Sequence, residues 1–129
     1  MVNATLAYQR NSIEVGDGAN IILALYEGAL RSMLEAKKAD DSLIYMKSVD
    51  KAMSIVRALI ASLDFENGGE IAVNLYRLYD FILWRLDEAL TRGEKYAIDE
   101  AYGIMDELYK AWVEALRNFR CDEKSTVGG

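Results

Sequence analysis

Between Ser42 and Asp64, apolar residues recur three and four positions apart, at Met46, Val49, Met53, Val56, Ile60 and Leu63. Alternating steps of three and four hold side chains on one side of an α-helix and make a heptad seam. One helix cannot bury its own seam, so the chain must supply partners. Three more stretches answer that need. Asn20 to Lys38 carries Ile22, Leu25, Ala29, Met33 and Ala36 in helical spacing. A third helix runs from about Asn67 to Gly93. The fourth, from about Glu94 to Phe119, carries Ile98, Ala101, Met105, Leu108, Trp112, Leu116 (or Ala115) and Phe119. Proline, which breaks helix interiors, is absent. The connections are only a few residues long, which makes sequential helices antiparallel neighbours. The pattern therefore predicts an all-α, up-down-up-down four-helix bundle over residues 20–119. With 129 residues, the chain is long enough for one domain with a real core.

Helix ends are marked locally. Asp17 suits an N-cap for the first helix, its carboxylate accepting from free amides of the first turn. Asn67 and Glu70 resemble a cap and its third-position partner, and Gly68-Gly69 permit a sharp reversal between the second and third helices. Gly93 suits a left-handed C-terminal cap. Residues 1–19 carry Leu6, Tyr8, Ile13 and Val15, too apolar for a free tail, and are expected to fold onto the bundle as a capping segment. Residues 120–129, a polar tail with the single cysteine Cys121, are expected to be disordered. One cysteine forms no internal disulfide, and a reducing cytoplasm is the simplest compartment. The first residues lack the basic start and apolar run of a signal peptide, and no stretch of about 18 uncharged apolar residues is present to insert in a membrane.

The chemistry permitted is narrow. With no histidine, the Ser-His and Cys-His nucleophile pairs and the Glu-x-x-His ligands of di-iron bundles are excluded. Glu100, Asp106 and Glu107 have the spacing of a solvated helix face rather than an acid–base pair. Gly16-Asp17-Gly18 lacks the strand and lysine of a phosphate loop, and a capping turn is the simpler reading. A net charge of −6 disfavours nucleic acid as a partner. No enzyme activity, cofactor or metal is expected.

The third helix is unusual. At about 100° per residue, Leu78, Ile71, Ala89, Ile82, Leu75, Leu86, Tyr79, Ala72, Leu90, Leu83 and Tyr76 fill an arc of roughly 160°, wider than a single stripe needs. Val73 and Trp84 project from the far side, near Arg77, Asp80 and Glu88. Either this is the most buried helix, its excess covered by the N-terminal segment, or it offers a groove to another protein's apolar segment. Tyr8, Tyr76 and Tyr79 suit such a site, each pairing an apolar ring with a polar tip. Spacing alone leaves both readings open, together with a third in which the surplus surface is buried in a self-associating bundle.

The blocks YQRN (8–11), LALYEGAL (23–30) and SLDFENGGEIAVNLYRLYDFILWRL (62–86) resemble those of the FliS flagellar secretion chaperones, with looser similarity from Thr5 to Phe119. The resemblance implies a cytosolic, mainly antiparallel four-helix bundle that binds newly made flagellin. It would hold flagellin's C-terminal region, which is disordered when free, prevent premature polymerisation and help delivery to the flagellar type III export gate. It also implies a mobile N-terminal segment, here bearing Leu6, Tyr8 and Gln9, that can cover part of the apolar surface. The partner-binding residues expected from the arc and the resemblance together are Leu6, Tyr8, Gln9, Tyr76, Tyr79, Leu83 and Trp84, and the chain is expected to be a monomer or weak homodimer. Three features depart from the family pattern. VGDGAN replaces a Ser/Thr-Ala-Ser-Pro-like turn before the first helix, Glu27 replaces a more usual aspartate, and Trp84 stands where arginine is frequent.

Overall fold

The computed structural model describes the backbone of residues 15–128 and the side chains of residues 18–118. Four helices follow one another: α1 (Val15–Lys38), α2 (Ser42–Ala61), α3 (Phe65–Arg92) and α4 (Lys95–Gly128). No strand occurs among the described residues. The all-α four-helix architecture is therefore the observed one.

Each helix packs on its neighbours in sequence, and α4 closes the ring against α1. Glu27 meets Tyr109 while Lys37 meets Asp99, so numbering rises along α1 as it falls along α4. Likewise Tyr45, near the start of α2, donates its hydroxyl to the carbonyl of Ala89 near the end of α3, at 2.7 Å. These are the registers of antiparallel neighbours.

Local chemistry fixes the ends. The Asp41 carboxylate accepts from the Leu43 amide at 2.7 Å, satisfying one of the free donors that begin α2. Asp64 does the same for α3, accepting from the Asn67 amide at 3.1 Å and from the Asn67 side chain at 2.8 Å. Gly93 closes α3 in the left-handed region (φ 69°, ψ 22°), its amide bonded to the carbonyl of Ala89, as the sequence predicts. Lys95 then donates to the Ala39 carbonyl at 3.1 Å, tying the first turn of α4 to the end of α1.

All four helices contribute to one core. Tyr26, Ala29, Met33 and Ala36 of α1, Val49, Ala52, Val56 and Leu59 of α2, Ile82, Leu86 and Ala89 of α3, and Ile98, Ala101 and Met105 of α4 are fully buried. Alanines at many of these positions let helices approach closely, and the larger side chains fill the remaining space.

Several expectations need correction. Helix α1 begins at Val15, not near Asn20, so Asp17 lies within the first turn and is not the N-cap. No proline stands there to stop the helix from extending backward. In α2, Met46 is 51% exposed, and Tyr45 takes the buried place because its hydroxyl finds a carbonyl partner. Helix α3 starts earlier than expected, capped by Asp64 instead of Asn67, and the reversal is made by residues 62–64. The glycine pair acts inside α3 instead. Gly69 (φ 52°, ψ −125°) breaks the helical path, a conformation that side chains with a β-carbon rarely adopt. Helix α4 continues through residues 120–128. From Phe119 to Val127 the chain has neither proline nor glycine, so nothing local ends α4 sooner. The N-terminal capping segment lies, up to Glu14, outside the described residues.

Candidate protein-binding surface

Helix α3 is divided by its surroundings. From Tyr79 onward its inner face is sealed: Tyr79, Ile82, Leu86 and Ala89 are buried. Before Tyr79 the same apolar pattern continues into open surface. Ile71 is 70% exposed, Tyr76 42% and Leu78 37%, with Leu75 partly buried between them. Phe65 packs edge-on against Tyr76 across the kink at Gly69, with ring centroids 6.1 Å apart. Solvent-facing aliphatic and aromatic side chains thus run along the first half of α3.

The outer side of α3 carries a second group. Trp84 is 54% exposed, beside Phe81 at 5.7 Å between ring centroids. The Arg85 guanidinium lies over the Trp84 ring at 5.4 Å, close enough for a cation–π contact. Arg85 itself is nearly buried. Its Nε stands 2.6 Å from Glu100 on α4, close enough for an ion pair but not aligned as a directed hydrogen bond, and its Nη1 donates to Glu88 at 3.1 Å. This ion-paired arginine joins α3 to α4 beneath the indole and limits how far Trp84 can shift.

Below the open stretch lies a polar joint. The hydroxyls of Tyr26 and Tyr79 are 2.5 Å apart, and Trp112 Nε1 donates to the Tyr26 hydroxyl at 3.1 Å. The joint crosses the bundle from α1 to α3 and reaches α4, linking helices on a diagonal whose backbones do not touch. Burial pushes the pKa of both tyrosine hydroxyls up, because the phenolate is disfavoured away from water, and the bond to Tyr26 raises that of Tyr79 further. On the rim, Tyr109 donates to Glu27 at 2.6 Å, and that bond to a carboxylate holds the proton and raises the Tyr109 pKa too.

The residues picked from the sequence are therefore distributed unevenly. Tyr76 and Trp84 are exposed, Leu83 is partly buried against the core, and Tyr79 lies in the core with its hydroxyl on Tyr26. Tyr76 and Trp84 are eight residues apart, about 80° around α3 at 100° per residue, so one continuous partner can lie along both. Leu6, Tyr8 and Gln9 lie outside the described residues. Ile71, Leu78, Phe65 and Phe81 were not singled out as partner-binding, although their exposure makes them part of the surface. Periodicity assigns Ile71 to the buried arc, and nothing in the sequence says that neighbouring helices leave it open. Among the described residues no group of carboxylate or thiol side chains forms a metal site, and no helix is long and apolar enough to cross a membrane.

Comparison with known proteins gives a consistent answer. Residues 1–118 match the family described as flagellar protein FliS. The flagellar secretion chaperone FliS of Salmonella typhimurium is 35% identical over 96 residues, covering 71% of each chain. The flagellar secretion chaperone FliSB of Pseudomonas aeruginosa is 35% identical over 118 residues, 86% of this chain and 94% of its own. The Bacillus subtilis FliS chaperone is 26% identical over 129 residues, 98% of this chain and 96% of its own. A helical bundle with open apolar surface on α3 and this match along most of its length belongs to the FliS family of flagellar secretion chaperones, which are not enzymes.

Proposed function

We propose that the protein binds the C-terminal region of flagellin in the cytoplasm, keeps it from polymerising before export, and helps deliver it to the flagellar type III export apparatus. The observation that carries this reading is the open first half of α3. Ile71, Tyr76 and Leu78 present apolar surface that the bundle's own helices leave uncovered, on a member of a family of secretion chaperones. Such surface suits a client segment that is disordered alone and gains order by laying apolar side chains into the groove. Ordering costs such a segment about 2–5 kcal/mol, so the buried contacts must exceed that. Tyr76, Leu83 and Trp84 supply contacts from α3. Tyr79 acts from below, by holding α3 at a fixed depth through Tyr26.

The N-terminal segment with Leu6, Tyr8 and Gln9 competes for the same surface. A segment that occupies the groove lowers apparent affinity by the fraction of molecules left uncovered. Deleting residues 1–14 should leave the bundle folded and tighten or accelerate binding of the flagellin tail. A well-folded truncation that binds far more weakly would make the segment part of the site instead of its competitor.

Co-purification tests the main reading. Flagellin should be retained by the protein, and retention should disappear when flagellin's C-terminal region is deleted. A homodimer at micromolar concentration that persists under excess flagellin tail would instead assign the open surface to self-association.

A further inference from the structure

Helix α2 differs in charge from the rest of the bundle. The chain carries a net charge of −6, yet α2 holds Lys47, Lys51 and Arg57 against the single carboxylate of Asp50. In α3, by contrast, Glu66, Glu70, Asp80, Asp87 and Glu88 outnumber Arg77, Arg85 and Arg92. All three α2 cations are exposed, and none has an ion-pair partner among the described residues. Elsewhere Lys37, Arg85, Arg92 and Lys110 are paired with carboxylates, while Arg31, Lys38, Arg77 and Arg117 stand without an ion pair among the described residues, scattered over the other three helices.

The cations share their face with apolar and small residues. Leu43 and Met46 are 57% and 51% exposed, at the first turn of α2, followed on the same side by Lys47 and Lys51. Ser54, Ala58 and Ala61 continue that side to the end of the helix, all exposed. Steps of three and four keep these positions on one side of a helix, pointing away from the buried stripe of Val49, Ala52, Val56 and Leu59. Along about 30 Å of α2, an apolar end therefore passes into a cationic middle and a small-residue end.

We infer that the outward face of α2 is a second docking surface, for an acidic amphipathic helix of a partner protein. Its apolar side chains meet Leu43 and Met46, its carboxylates meet Lys47, Lys51 and Arg57, and it approaches closely over Ser54 and Ala58. This face is separate from the α3 surface, and occupying it leaves the first half of α3 free. Charge selects the occupant. A second copy placed α2 against α2 sets cations against cations. A nucleic acid meets the cations but offers nothing to bury the exposed Leu43 and Met46 at the apolar end. A helix that alternates carboxylates with leucines matches both halves of the face.

The full-length chain and its triple charge-reversal variant Lys47→Glu, Lys51→Glu, Arg57→Glu provide the test. The probe is a synthetic helical peptide of about three heptads, leucine on one face and glutamate on the flanks. A counterpart with lysine for glutamate serves as control. Amide resonances of the wild-type chain should shift along residues 43–58 with the glutamate peptide, and rising salt should weaken binding. The triple variant should bind roughly tenfold more weakly or worse, while keeping its helix content and its grip on the flagellin tail. The second variant, Leu43→Ser with Met46→Ser, removes the apolar end without altering charge and should also weaken the peptide, so a poorly folded triple variant does not end the test. Peptide shifts confined to α3, or equal binding by wild type and both variants, overturn the inference. Wild-type binding to phosphatidylglycerol vesicles in preference to the peptide overturns it in favour of a lipid surface. Self-association that disappears on charge reversal overturns it in favour of another copy.

Discussion

The two halves of α3 share one amphipathic pattern and have opposite fates. Ile71 and Ala89 are separated by five helical turns and point in the same direction at about 100° per residue. Ala89 is fully buried and Ile71 is 70% exposed. The second half lies among α1, α2 and α4, with Leu86 and Ile82 in the common core. In the first half, beyond the kink at Gly69, only Ala72 is buried and Leu75 partly so, while Ile71, Leu78 and Tyr76 at the edges of the arc are exposed. Periodicity thus determines the face a side chain occupies, while the presence of a neighbour determines whether that face is buried.

The largest expected contrast is between core truncations in the two halves. Leu86→Ala should cost about 2–5 kcal/mol, as large-to-small changes do where surroundings cannot collapse. Ile71→Ala should change stability by no more than about 0.5 kcal/mol yet weaken flagellin-tail binding. Urea unfolding of both variants, with the binding titration alongside, checks the pair. Similar losses of stability would mean that the first half of α3 is covered in solution.

The polar joint at the boundary between the halves should give an intermediate effect. Tyr79→Phe removes one hydroxyl from the Tyr26–Tyr79 pair and should cost about 1–3 kcal/mol, since a buried hydroxyl loses its partner. Adding Tyr26→Phe should cost less than the sum, because the partner is then already gone. A strictly additive double-mutant cycle would show that the two hydroxyls do not share a bond in solution.

Ionisation of the same joint sets a pH limit. Tyr26 and Tyr79 are held above the ordinary tyrosine value of about 10 in the folded state. A folded-state pKa above the unfolded value gives stability that is complete below about pH 10 and lost as pH rises beyond it. Thermal midpoints should therefore fall steeply above that pH, and less steeply in Tyr79→Phe. An unchanged slope in the variant would assign alkaline loss to other groups.

The smallest effect is spectroscopic. In single-tryptophan variants, acrylamide should quench Trp84, which is 54% exposed, more efficiently than Trp112, whose indole N–H is bonded to Tyr26. Binding of the flagellin tail should protect Trp84 if the client crosses the outer side of α3. Equal quenching of the two indoles in the free protein would contradict the outward placement of Trp84.

Much of this architecture follows from local rules. Helical periodicity and the absence of proline determine four helices, short connections determine which helices are neighbours, and Gly93 determines where α3 stops, because each depends on only a few adjacent residues. The outward position of Trp84 follows from the same angular count. Tertiary structure decided the rest. Tyr79 shares its pattern with Tyr76, yet one hydroxyl meets Tyr26 across the bundle and the other side chain faces solvent. Arg85 reads as a surface charge until Glu100 of α4 arrives beside it. Gly69 reads as part of a turn until Asp64 caps the helix earlier and leaves the glycine to bend it. The sequence determined which side chains face inward because helical geometry is local; which of them are covered depends on contacts between residues distant in the chain.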